Sequence, residues 1–240
     1  MRLSIIIPVL DEGERIAATL DQLADLRALG VEVVVVDGGS RDATVQRARL
    51  RSDKVVVAPH GRAARMNAGA ERATGDVLLF LDADTRLPPA AEHLVLDGLA
   101  RSEETWGCFK VAYEGGNPLL WLIAALMNLR TLITGGASGD QAIFVKQDAF
   151  TAAGGFPLIP IMENVALCKR LKAKSRPLRL AARTVASQER WQGLGVLPTA
   201  MLMLRLRLAY AFGTDPAALA ERYRAACDPV PAEPAPKPAQ

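Results

Sequence analysis

The chain has 240 residues, 50% of them hydrophobic and 23% charged, which supplies a sizeable core and excludes a disordered or fibrous protein. Its 29 basic and 26 acidic residues leave a formal charge of +3, too little for indiscriminate polyanion binding, so no nucleic-acid partner is expected. Cys108, Cys168 and Cys227 lie far apart with no C-x-x-C spacing, which argues against a disulfide framework or zinc ribbon and for reduced core thiols.

Taken in chain order, short β-branched runs alternate with longer amphipathic ones. Strands are predicted over 3–9, 32–37, 54–58 and 77–81, and helices over 13–29, 42–51, 62–73 and 88–101, the last with Pro near its start. Such alternation signals βαβ units and a parallel sheet. Val33 to Val36 and Val77 to Leu81 are almost wholly apolar, as in strands covered on both faces. Beyond Trp106 the pattern loosens: a strand to Tyr113, an apolar helix over 118–129, the stretch Gly135 to Asp140, and helices over 163–174, 196–212 and 216–226. Residues 229–240, rich in Pro and Ala, are expected to be a disordered tail. Pro118 to Leu129 is uncharged but far short of the roughly 20 residues of a spanning helix, so it is expected to pack on the core or touch a lipid surface. Met1 and Arg2 run straight into Leu3 to Ile7 with no leader-like apolar stretch, giving the expectation of a cytoplasmic location.

Two carboxylates, Asp82 and Asp84, follow the apolar run that ends at Leu81. Open α/β sheets bind ligands at such strand ends, and residues two apart in an extended segment point the same way. The pair suits one hard cation, Mg²⁺ or Mn²⁺, shared with phosphate oxygens. The plainer alternative is an Asp-rich turn that caps the next helix. Asp37 likewise ends an apolar run and is followed by Gly38-Gly39-Ser40-Arg41-Asp42, whose glycines allow close approach of a ligand. Arg62 and Arg65 either bring positive charge to a phosphate or form a solvated helix face. His60 and His93 read as surface or structural residues.

Four ordered segments, Ile6-Ile7-Pro8-Val9-Leu10-Asp11-Glu12, Val36-Asp37-Gly38-Gly39-Ser40-x-Asp42-x-Thr44, Arg62-x-x-x-x-Asn67-x-Gly69 and Asp82-x-Asp84, closely resemble the nucleotide-sugar half of family 2 glycosyltransferases. Further on, Gly139-Asp140-Gln141-Ala142-Ile143-Phe144-Val145 with Gly154-Gly155-Phe156-Pro157 resembles the segment that closes the active site of those enzymes, and Met162-Glu163-Asn164-Val165-x-Leu167 resembles their "ED" helix start. Gln188-Glu189-Arg190-Trp191 is similar to the Q-x-x-R-W element of processive members, one residue short, and polymer synthesis is not inferred from it. The similarity reaches nearly from residue 1 to 225.

The resemblance implies a GT-A fold: an α/β, Rossmann-like, mostly parallel sheet flanked by helices, with an acceptor-side lobe and C-terminal helices. Residues 1–114 would form the nucleotide-sugar half and 115–228 the acceptor half of one domain. Pro8, Val9, Glu12, Asp37, Arg62, Asn67 and Asp82 would bind the nucleotide-sugar, Asp82 and Asp84 the metal, and Asp140, Gln141, Arg190 and Trp191 the acceptor side. The implied reaction is a metal-assisted, inverting displacement by an acceptor hydroxyl on a nucleoside-diphosphate sugar, with a carboxylate near Glu163 as base. The acceptor is unidentified, a lipid-linked one at the inner face of the membrane being one option. The chain departs from the pattern at Asn164, where the family carries Asp, and a neutral amide accepts no proton. Either Glu163 has taken the role or the base is degraded, the second being the favoured reading. Two alternatives stay open: a nucleotidyltransferase, whose early phosphate loop Pro8 to Gly13 lacks, and a sugar-nucleotide binding protein with impaired catalysis.

Overall fold

A computed structural model describes residues 1–58 and 61–227. His60 and the tail expected over 229–240 lie outside the described residues. Two compact units divide the chain after residue 188.

The first unit is built on an eight-stranded sheet in the order β3-β2-β1-β4-β7-β6-β8-β5. Strands β1 (Leu3–Val9), β2 (Glu32–Asp37), β3 (Lys54–Val57) and β4 (Val77–Phe80) pair in parallel. On β4 the direction reverses: β7 (Phe144–Lys146) is antiparallel to both β4 and β6 (Trp106–Tyr113), β8 (Leu178–Ala186) runs parallel to β6, and the two-residue β5 (Thr85–Arg86) closes the edge. Helices α1 (Ile16–Asp21), α2 (Ala24–Ala28), α3 (Thr44–Arg49), α4 (Arg62–Arg72), α5 (Ala91–Ala100), α6 (Pro118–Thr134), α7 (Gln147–Ala152) and α8 (Glu163–Lys172) surround it. The fold class expected from the sequence is present.

Alternation within β1 and β2 divides the core between the two faces. Ile5, Ile7 and Val9 pack with Val33, Val35, Leu20, Val95 and Phe109, whereas Ile6, Val34 and Val36 pack with Met66, Ala70, Phe80 and Phe156. All these side chains lose nearly all their contact with water, each burial contributing about 1.5–3 kcal/mol for the larger aliphatics. Gly69 brings α4 down onto the sheet, since a Cβ there would collide with Ile6 and Val36. This close approach sets the N-terminus of α4 over the strand ends.

Several expectations are corrected. The helix expected over 13–29 is two, because the Leu23 amide turns back to Leu20 O at 3.0 Å and interrupts the α-helical bonding. Helix α5 starts at Ala91, after Pro88 and Pro89, because Ala90 is left-handed with φ +54°. Helix α6 continues past residue 129 and stops where Gly135 takes φ +66°. Strands β5, β7 and β8 and helix α7 are additions. Cys108 and Cys168 are buried, and burial pushes their thiols up to about 12 and about 11, but Cys227 is exposed and is no core thiol.

The second unit contains a 3-10 turn (Glu189–Trp191) and two helices, α9 (Val196–Ala211) and α10 (Pro216–Cys227).

Candidate active site

The carboxyl ends of the parallel strands carry the acidic residues. Pro8 and Val9 are buried at the end of β1, opposite Val36 and Asp37 of β2. The loop after β1 is stitched to the loop after β2. The Asp11 amide donates to Ser40 Oγ at 2.9 Å, Arg41 N to Asp11 Oδ1 at 2.8 Å, Glu12 N to Thr44 Oγ1 at 2.9 Å, and Gly13 N to Asp42 Oδ2 at 2.7 Å. Asp42 is held below the ordinary carboxylate range, chiefly by the Thr44 hydroxyl. Glu12 points its carboxylate at Arg15, 3.1 Å away. A cavity of about 350 Å³ opens here, lined by Asp11, Glu12, Asp42 and Arg47 among others, but neither Asp37 nor Asp82 lines it.

Asp37 is almost fully buried and accepts from the amides of Gly39, at 2.9 Å, and Ser40. Its carboxylate therefore shapes the turn that follows. Arg65 reaches over that turn: a Cβ on Gly38 would meet Arg65 Nη1 at 2.5 Å. Burial holds the Arg65 guanidinium below its ordinary range and the neighbouring Arg62 adds to this, with Asp37 acting against it.

The Asp82-Ala83-Asp84 turn is anchored on three sides. Leu81 N donates to Ile6 O at 3.0 Å, the Thr19 hydroxyl to Ala83 O, and Ser187 N to Asp84 O at 3.0 Å. Arg62, at the start of α4, donates through Nη2 to Asp82 Oδ1 and through Nη1 to Glu163 Oε1 at 2.6 Å. Burial opposes the charge on Arg62, yet the two carboxylates outweigh it and hold the guanidinium above its ordinary range. A solvated helix face is thereby corrected for Arg62. Gly139 lies against the same cluster, where a Cβ would stand 2.5 Å from Asp82 Oδ2 and 2.8 Å from Arg62 Nη2.

Glu163 is buried at the first turn of α8, a favourable place for a carboxylate beside the helix dipole. The residue before it, Met162, is held at φ +69°. Asp11 at +52° and Ala142 at +44° share this left-handed conformation, so three strained non-glycine residues border the strand ends. Asn164 is half-buried and its side chain makes no hydrogen bond among the described residues.

Some residues named from the sequence do structural work. Both ends of the Asn67 amide are committed to Phe156, Nδ2 donating to its O at 2.8 Å and Oδ1 accepting from its N at 2.9 Å. Gln141 is buried, its Oε1 accepting from Ser138 N and Thr131 Oγ1 and its Nε2 donating to Phe109 O. Asp140 is buried and accepts from the Tyr113 hydroxyl at 2.9 Å, a partner invisible in the sequence because it comes from β6. Arg190 and Trp191 stand in the 3-10 turn of the second unit.

Two aspartates at one turn offer hard oxygen donors to a cation that takes one or two carboxylates and fills its shell with phosphate and water. That donor set fits Mg²⁺ or Mn²⁺. Among the described residues no cluster of three or more His, Cys, Asp or Glu side chains forms a fuller cage.

The family model described as "Glycosyl transferase family 2" matches residues 4–149. An undecaprenyl-phosphate 4-deoxy-4-formamido-L-arabinose transferase of Pseudomonas syringae pv. syringae is 41% identical over 101 residues, which cover 36% of this chain and 29% of that protein. The chain thus matches under a third of that curated relative's length. Among solved structures, S. aureus TarS 1-349 in complex with UDP-GlcNAc has a TM-score of 0.62 at 18% identity, covering 91% of this chain and 69% of that one. The mannosyltransferase PcManGT of Pyrobaculum calidifontis, in complex with GDP-Man and Mn²⁺, has a TM-score of 0.58 at 19% identity, covering 94% and 79%. These two likenesses establish the GT-A fold.

Proposed function

The chain belongs to glycosyl transferase family 2, and from that membership we propose that it moves a sugar from a nucleoside-diphosphate sugar to an acceptor, with inversion and with metal assistance. The observation that carries the reading is the Asp82–Arg62–Glu163 cluster, which sets the D-x-D carboxylate and an acceptor-side carboxylate on one guanidinium. Nucleoside-diphosphate sugars in the two similar structures support the donor class, and the Mn²⁺ in one supports the cation. Residues 1–114 serve the donor in this reading, and residues 115–228 serve the acceptor.

Within it, Pro8, Val9, Glu12 and Asp37 frame the nucleoside. Arg62 and Arg65 face the diphosphate. Asp82 and Asp84 would hold Mg²⁺ or Mn²⁺, which when bound neutralises charge on the leaving diphosphate. Arg62 pairs with Glu163 in the free protein, and a diphosphate offers it a stronger partner. Release of Glu163 then leaves a buried carboxylate able to take the proton of an acceptor hydroxyl as its oxygen attacks the anomeric carbon. Glu163 is thus the base in this proposal, in place of a degraded base at Asn164.

A second reading is favoured by Asn164 and by the undecaprenyl-phosphate acceptor in the similar transferase's name. A polyprenyl-phosphate oxygen is already ionised at neutral pH, so attack by it needs no base. Thermal-shift measurements with UDP-, GDP- and dTDP-sugars, with and without Mn²⁺, test the donor. The expected result is a metal-dependent rise in melting temperature with one donor, lost in Asp84→Ala. A rise with no nucleotide sugar, or one unchanged in Asp84→Ala, contradicts the assignment.

A further inference from the structure

We infer that the outer face of α6, with the basic segment at its C-terminal end, docks the protein on an anionic lipid surface. Trp121, Leu122, Leu126, Leu129, Leu132 and Ile133 are all exposed, Trp121 at 69% and Ile133 at 74%. They recur at the spacing of one broad helix face, and a contiguous apolar strip of this kind marks an interaction site. Seventeen residues make a helix of about 25 Å, and among the described residues no helix is long and apolar enough to cross a membrane. A helix that lies in the interface plane fits this length and exposure.

Charge decides the occupant. Residues 115–139, which contain α6, include no Asp or Glu, and neither do residues 164–188, which carry Lys169, Arg170, Lys172, Lys174, Arg176, Arg179 and Arg183. Part of that segment is tied to the end of α6. Lys172 Nζ donates to Thr134 O, Arg179 Nη1 donates to Leu132 O at 2.9 Å, and Pro177 lies against Gly135. Lys172 and Arg179 are thus exposed beside the apolar strip, and Arg176, the neighbour of Pro177, is exposed as well. A second protein would need a matching acidic rim, whereas an anionic bilayer supplies hydrocarbon and negative charge together, each basic residue near its surface adding about 1 kcal/mol.

The inner face of α6 links this surface to the site. Asn128 clasps the backbone of Val111 at 2.9 and 3.0 Å, and the Thr131 hydroxyl donates to Gln141 Oε1 at 3.0 Å. Docking through the outer face therefore holds the Gly139–Gln141 turn, beside Arg62 and Asp82, close to the lipid headgroups.

Trp121 is the natural reporter, because Trp106 and Trp191 are buried. The full chain is mixed with vesicles of phosphatidylcholine alone or with phosphatidylglycerol. Co-sedimentation is expected with the anionic vesicles at low salt, together with a blue shift and quenching by brominated lipid that Trp121→Phe removes. Leu126→Glu with Leu129→Glu is expected to cut the bound fraction about tenfold or more, and Arg176→Glu to weaken binding to the anionic vesicles. Both sites are exposed, so unchanged melting curves verify the fold. Parent-like partitioning of the double variant overturns the inference. So does absence of parent binding, including the case where the chain is a dimer in solution that the double variant splits. Docking goes beyond the transfer reading and fails separately from it: vesicle binding without sugar transfer keeps the first and removes the second.

Discussion

Arg62 joins Asp82, at the end of β4, to Glu163, 81 positions later at the start of α8, with one guanidinium nitrogen on each carboxylate. The ionic contact is the charge balance of the site: one cation lies between two acids that would otherwise repel. It also means that the two acids cannot act on a ligand at full charge until a new anion draws Arg62 away.

Removing the guanidinium should therefore harm both stability and transfer. Arg62→Met is expected to destabilise the chain by on the order of 2–3 kcal/mol, less than a wholly buried pair, because 29% of the Arg62 side chain is exposed. Transfer should fall about a hundredfold. Denaturant titration and initial rates measure the two losses, and a variant of parental stability would show that the cluster contributes no net ionic stabilisation.

Glu163 and Asn164 can be separated by conservative exchange. Glu163→Gln is expected to lower transfer to a hydroxyl acceptor by about 10²–10⁴ with donor affinity kept, while Asn164→Asp changes the rate only a few-fold. If Asn164→Asp accelerates transfer strongly, the base is degraded at position 164. If Glu163→Gln is harmless and the acceptor is a phosphate, the nucleophile is already ionised.

Gly69, read from the sequence within a binding motif, is in the structure a packing residue. Gly69→Ala should cost about 1–3 kcal/mol, because the added methyl collides with Ile6 and Val36 under α4. Equilibrium unfolding reads this directly, and a neutral result would mean that α4 moves away from the sheet without penalty.

Acid should loosen the sheet at the end remote from the site. Burial works against the charge on Glu32, but Lys54, Ser4 and the Thr74 amide outweigh it and hold its carboxyl below the ordinary range. Asp53 is likewise lowered, first by its hydrogen bond with Arg27. Carboxyls lowered in the folded state bind fewer protons there than in the unfolded chain, so stability rises with pH across their titration. Their contribution is whole above about pH 4–5 and is lost as the pH falls through the lower folded-state values. Glu32→Gln should flatten the decline in melting temperature between neutral and acid pH; a slope identical to the parent's would exclude Glu32 as a source.

Much of this was legible in the chain itself. The apolar runs at Val33 to Val36 and Val77 to Leu81 fix buried strands because their periodicity is local, and Asp37, Asp82 and Asp84 fall at strand ends for the same reason. Strand β8 was missed although Leu178, Leu180 and Ala182 alternate inward, because alanines and arginines dilute the pattern. Strand β7, three residues long, is too short for any period to be read.

Sequence alone determined the order of motifs, the α/β class and the family, since each depends on residues close together along the chain. Only the tertiary structure decided what the side chains do. It tied Asn67 to Phe156 and Asp140 to Tyr113, put Arg62 between Asp82 and Glu163, and left the apolar face of α6 uncovered. Each of these outcomes depends on which distant element packs alongside, and such long-range pairings leave no periodic trace in a single sequence.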